Sequence, residues 1–127
     1  MFKIFMIALG GGLGTLLRYV LAGWAQKFVD GSFPLGTLVV NSAGCFLIGF
    51  LGAAFGGPFL IREEYRVALF VGVLGGFTTF STFGWETFSL TNDGQFRLAV
   101  ANAILTNAIG FAAVWVGYRM SHKLLGM

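Results

Sequence analysis

Apolar residues run through this chain in four long blocks separated by short polar breaks. A helix that crosses about 30 Å of hydrocarbon needs about 20 mostly apolar residues. Residues 4–26, 35–61, 65–90 and 96–118 each supply that length. The first block is apolar apart from Arg18, and the second holds one strongly polar side chain, Asn41. The third opens as VALFVGVLGG and turns into FTTFSTFGWE, while the fourth carries Asn102, Thr106 and Asn107. Between them lie 27–34, 62–64 and 91–95, the last with the turn signal Asn92-Asp93-Gly94. The pattern predicts an all-α integral membrane protein with four transmembrane helices, a single domain over 1–127 without a soluble appendage. The first block is too long for the apolar core of a signal peptide, is interrupted by Arg18, and is followed at once by further spans. It is expected to be a retained helix.

Composition agrees and narrows the function. Hydrophobic residues make up 57% of the chain and charged residues 10%, against about 25% charged in a soluble domain. The mean hydropathy is +0.83. A soluble enzyme, a disordered tail and a nucleic-acid module are excluded. The net charge of +3 comes from scattered residues and forms no basic patch. One cysteine, Cys45, and one histidine, His122, exclude a disulfide framework and a His-pair metal site. Ser42, Asp30 and His122 show no nucleophile–base spacing, and GGGLGT at 10–15 lacks the Gly-Lys-Ser/Thr ending of a phosphate loop. No enzyme is expected. With the N-terminus in the cytoplasm, Lys3, Arg62, Arg66, Arg119 and Lys123 share that side, and Lys27 and Arg97 lie on the other. That is a modest positive-inside asymmetry.

The 20 glycines bear on assembly. Gly10 and Gly14, Gly52 and Gly56, and Gly72 and Gly76 have the spacing that lets helix backbones approach closely. Four closely packed helices leave little room for a polar path inside one chain, so a route at a subunit interface is expected, most simply in a dimer.

Polar groups inside a bilayer are expensive and each is a candidate for function. Thr37 and Asn41, four apart, share a face of the second helix; Asn102, Thr106 and Gly110 form a similar stripe on the fourth. Either stripe serves as helix glue or as pore lining, and two on separate helices favour a hydrophilic track. Arg18 lies deep in its span, where it stabilises an anion vestibule or pairs with a helix end. Glu86 sits near the end of the third span, as a track residue or a boundary carboxylate. Residues 75–84, GGFTTFSTFG, are poor helix formers in mid-membrane. A break there frees carbonyls that suit a hard cation such as Na⁺. Phe80 and Phe83, three apart, point the same way on a resumed helix, and the positive edges of their rings suit a small anion.

These residues carry a resemblance. GGLGTLLRY (11–19), GTLVVN (36–41) and above all GGFTTFSTFGWE (75–86) resemble the Fluc (CrcB) fluoride channels over essentially the whole length. The resemblance implies passive fluoride export across the bacterial inner membrane by an antiparallel, dual-topology homodimer with two pores. It implies that Phe80, Phe83, Asn41, Thr37, Thr106, Asn102, Arg18 and Glu86 serve the fluoride pore. It also implies a structural Na⁺ at the dimer interface, held by backbone carbonyls of Gly75 and Thr78 from each chain. Gly110 departs from the family's hydroxyl-bearing track, and a one-residue slip exchanges Thr106 for Asn107.

Two other classes compete. A small proton-coupled multidrug exporter of the four-span dimeric type needs an acidic residue deep in a span, where this chain has Arg18. An accessory subunit with glue alone gives no reason for the costly Gly-Gly/Thr-Thr break.

Overall fold

The computed structural model describes residues 1–127, folded into helices and turns with no strand. Four helices are long and apolar enough to cross a membrane: Phe2–Gln26, Leu35–Gly56, Glu63–Asn92 and Phe96–Leu125. The all-helical, four-span architecture expected from the block pattern is the one adopted, and the third helix is the one that breaks.

Local chemistry moves two helix ends. The second helix stops at Gly56, short of residue 61, although Phe59, Leu60 and Ile61 continue the apolar run. Gly57 leaves the helical region (φ −120, ψ −112), and Pro58 disfavours helix at the residue before it and lacks an amide donor. The fourth helix continues past residue 118 to Leu125. It ends where Gly126 takes a left-handed conformation (φ 70), the usual glycine stop, with His122 and Lys123 in the last turn, where cations suit the helix dipole.

Lipid is as apolar as leucine, so burial alone does not drive these helices together and close backbone contact must contribute. The first helix lies against the opening half of the third. A Cβ on Gly10 would sit 2.6 Å from the Ala68 carbonyl oxygen, and one on Gly72 would sit 2.8 Å from that of Ile7. Gly14 and Gly76 make the same kind of contact with Val73 and Gly11. The second helix lies against the fourth through Gly49 on Val114 and Gly117 on Phe46. The contacts of the first helix with the third rise together in residue number, and so do Cys45 with Gly110 and Gly49 with Val114 between the second and the fourth, so the partners in each pair run parallel, as spans separated by one crossing must. Gly52 and Gly56, which share the same spacing, meet nothing within 4 Å in the chain.

Antiparallel contacts join the two pairs. The Gln26 side chain donates to the Phe33 carbonyl (2.8 Å) and accepts from the Gly36 amide (2.9 Å), fastening the first connection. At the opposite end of the bundle, and within the first–third pair, Lys3 pairs with Glu63 (2.8 Å).

The third span changes character along its length. It begins as α-helix at Glu63–Val67, widens to a π-helix over Ala68–Leu74, and returns to α-helix for Gly75–Phe77. Thr78 (φ −93, ψ 160) and Thr79 (φ −153, ψ 116) are extended, and a second helix then runs from Phe80 to Asn92. Seven consecutive π residues are unusual, and such segments gather at functional sites.

Candidate functional site

The break is held open by a side chain from another helix. Asn41 accepts from the Thr79 amide at Oδ1 (2.8 Å) and donates from Nδ2 to the Thr79 carbonyl (3.0 Å). One asparagine therefore satisfies both backbone groups of the residue at which the third helix is interrupted. Thr79 in turn caps the resumed helix, its Oγ1 accepting from the Thr82 amide (3.1 Å). These diversions have a consequence for the backbone left behind. In an unbroken helix the Thr79 amide would donate to the Gly75 carbonyl and the Thr82 amide to the Thr78 carbonyl. Both amides are used elsewhere, so the Gly75 and Thr78 carbonyls lose their intrahelical donors. On the other side of the break, the first amides of Phe80–Asn92 have no intrahelical acceptor, as at any helix start.

A groove of about 450 Å³ opens at this point. The second helix contributes Asn41, Gly44, Cys45 and Ile48. The third adds Gly75, Thr78, Thr79, Phe80 and Phe83, and the fourth Thr106, Asn107, Gly110 and Phe111. Gly44 allows the close approach of second helix and break: a Cβ there would run into the Thr78 methyl. The Phe80 and Phe83 rings lie 5.7 Å apart, tilted by 55°. They differ sharply in setting, for Phe83 is 8% exposed and Phe80 is 83% exposed. Phe83 is thus part of the wall, while Phe80 projects from the bundle.

The other candidates fall into separate places. Thr37 is buried one turn before Asn41 and lies beside Glu86. The Glu86 Oε1 is buried without a hydrogen-bond partner. Glu86 itself lines a smaller vestibule of about 240 Å³ with Gln26, Ser32, Trp85, Ser89 and Asp93. Asn102 is 1% exposed. It stands behind the groove, donating to Thr87 Oγ1 (2.9 Å) and accepting from Thr106 Oγ1 (3.3 Å). Arg18 is half-buried on the first helix and is not among the residues lining the groove. Thr106 and Asn107 both line the groove. Cys45, Thr79 and the π-helix carried no signal of their own in the sequence. Gly44, one turn from Asn41 and without a side chain, is the nearest hint of close packing there.

What this arrangement can do follows from its atoms. The first amides of a helix, the positive end of its dipole, and the ring edges of phenylalanines favour an anion. Carbonyls freed at the end of the preceding half favour a hard cation.

Known proteins resemble the chain closely. The family described as "CrcB-like protein, Camphor Resistance (CrcB)" matches residues 5–118. The "Fluoride-specific ion channel FluC" of Geobacter metallireducens is 46% identical over 124 residues, which cover 98% of this chain and 100% of that one. Its namesake in Solibacter usitatus is 42% identical over 121 residues, 95% and 99% of the two chains. That of Parabacteroides distasonis is 37% identical over 133 aligned residues, 100% and 98%.

Proposed function

The chain belongs to the CrcB family, and from that premise we propose that it is a fluoride channel, letting fluoride cross the membrane down its gradient and catalysing no bond change. The observation that carries the proposal is the broken third helix, held open by Asn41 so that helix-start amides, the Phe83 ring and the Thr106 hydroxyl meet at one groove. Fluoride surrenders its water only to a succession of donors. Here they are the first amides of Phe80–Asn92, the second Nδ2 proton of Asn41 and phenylalanine edges. Each is weak alone, which conduction requires, because an ion that binds tightly does not leave.

The proposal extends to the assembly. A second copy in antiparallel orientation would close the groove, and the exposure of Phe80 and Phe111 on its open side supports this. A structural Na⁺ fits the carbonyls of Gly75 and Thr78, released from their helical donors; it would neutralise those carbonyl dipoles and tie the two chains together. The bacterial inner membrane is the location this reading implies. Arg18, away from the groove, is assigned to the approach of the anion and not to its passage. Glu86 and Thr37 form the entrance from the smaller vestibule. The exporter reading loses ground because Glu86, the only acidic side chain it has to use, sits at that vestibule.

The test is fluoride release from liposomes that contain only this purified protein, with a potassium gradient and ionophore setting the voltage. Rapid fluoride release without chloride release is expected, and Phe80→Ala and Asn41→Asp should slow it. Silence from folded, assembled protein would sink the proposal.

A further inference from the structure

Asn102 fixes the polarity of a hydrogen-bond relay behind the groove. Thr87 donates its one hydroxyl proton to the Phe83 carbonyl (2.8 Å), so towards Asn102 it offers only lone pairs. The amide of Asn102 must then turn its NH₂ group to Thr87 (2.9 Å) and its oxygen to Thr106. Thr106 meets an acceptor there and commits its own proton to it (3.3 Å). Every donor in the series points towards Phe83. At the groove wall, where Thr106 ends the series, the hydroxyl therefore presents lone pairs, which repel an anion.

That arrangement is not rigid at its outer end. A separation of 3.3 Å is long for an O–H···O bond, so Thr106 can turn its proton into the groove. Doing so leaves the Asn102 oxygen unpaired in a site that is 1% exposed, and an unpaired buried acceptor is costly.

We propose that Thr87 and Asn102 are positioning residues that hold Thr106 as an acceptor towards the groove, so that fluoride is bound weakly there and passes on. The inference rests on the channel reading and concerns how loosely the ion is held. It assigns a role to Thr87 that no pattern in the sequence suggests, and makes Asn102 a residue that acts through Thr106 without touching the ion.

The experiment removes the polarity and keeps the shape. In Thr87→Val the acceptor is gone, the Asn102 amide is free to rotate, and Thr106 is free to donate into the groove. The half-saturating fluoride concentration for release should fall about tenfold, the effect of one hydrogen bond to an ion, and the maximal rate should fall with it. Thr87→Ser should behave as the parent, and adding Thr106→Val to Thr87→Val should abolish the tightening. Thr87→Ala serves where Thr87→Val does not assemble. An unchanged half-saturation in Thr87→Val, or a tightening that survives Thr106→Val, overturns the proposal. A readout without transport separates it from the channel reading: the side-chain amide NMR signal of Asn102 in ¹⁵N-labelled protein, identified by its loss in Asn102→Asp. It should move in Thr87→Val and stay in Thr87→Ser. A signal that stays put in Thr87→Val overturns the relay whether or not the liposomes release fluoride. A parent protein that releases none overturns the channel reading while this signal still judges the relay.

Discussion

Replacing Asn41 with leucine tests whether the break depends on one side chain. The substitution keeps the number and branching of the side-chain heavy atoms and removes both hydrogen bonds to Thr79, at 2.8 and 3.0 Å. The Thr79 amide and carbonyl then lose their partners at a residue that is 8% exposed. Each orphaned buried group costs about 1–3 kcal/mol, so the break is destabilised by about 2–6 kcal/mol, a large share of the stability of an ordinary domain. The chain has one way to recover part of this. The freed Thr79 amide can return to the Gly75 carbonyl and propagate the helix through Thr78, which would withdraw the groove's backbone groups. Asn41→Asp is the graded control. Its carboxyl still accepts from the Thr79 amide, but it places an oxygen where Nδ2 donated to a carbonyl. The assay is the thermal midpoint of purified protein, followed by tryptophan fluorescence, beside fluoride release from liposomes. At roughly 3 °C per kcal/mol for a chain of this size, Asn41→Leu should lower the midpoint by roughly 6–18 °C and abolish release, with Asn41→Asp between it and the parent. A leucine variant that melts and conducts like the parent would refute the clamp.

Three further outcomes follow from the same contacts. Gly14→Ala should prevent stable assembly, since its Cβ would run into the Val73 carbonyl, whereas Gly12→Ala, with nothing within 4 Å, should leave the melting midpoint unchanged. A small cationic thiol reagent should slow fluoride release by modifying Cys45, a half-buried groove residue, and Cys45→Ser should be immune; equal inhibition of both would place the reaction elsewhere. Thr79→Val removes the cap that accepts from the Thr82 amide and should destabilise the protein by about 1 kcal/mol, while Thr79→Ser keeps the midpoint of the parent.

The sequence makes the spans legible because hydrocarbon thickness imposes a length on each one, and no tertiary contact is needed to read it. The break is legible for a related reason: adjacent glycines and threonines are poor helix formers wherever they sit, and in a bilayer nothing but function or close packing justifies them. Helix ends were less legible because hydropathy and helix propensity diverge there. Phe59, Leu60 and Ile61 are apolar but follow Gly57-Pro58, and Arg119–Leu125 is polar in part yet helical. The partition of polar residues was the least legible. Thr37, Asn41, Asn102 and Thr106 read as two stripes, but a stripe gives only a face. Whether a side chain on that face meets a groove, a backbone or another side chain depends on which helix stands opposite. Asn41 meets the Thr79 backbone, and Asn102 meets Thr87, a residue that no spacing connects to it. Gly52 and Gly56 show the limit of spacing rules again, since the pattern that interlocks Gly10 and Gly14 with the third helix finds no neighbour in the chain.

A single interruption supplies both kinds of helix end that the proposed cation and anion sites need. Cutting a helix in mid-membrane exposes two ends, with about half a negative charge on the carbonyls of the first half and about half a positive charge on the amides of the second. Left alone, those groups would be intolerable in hydrocarbon. Asn41 satisfies one amide and one carbonyl, both of Thr79, and the Thr79 hydroxyl satisfies the Thr82 amide. The groups still available are of two kinds: the carbonyls of Gly75 and Thr78 before the break, and the first amides of Phe80–Asn92 after it. The first kind suits a cation and the second an anion, and the two are separated by the extended pair Thr78-Thr79. An unbroken third helix would satisfy every one of these groups internally and would offer neither ion anything. The clamp is therefore the residue on which both proposed affinities would depend, and its effect on them should be inseparable from its effect on the shape of the chain.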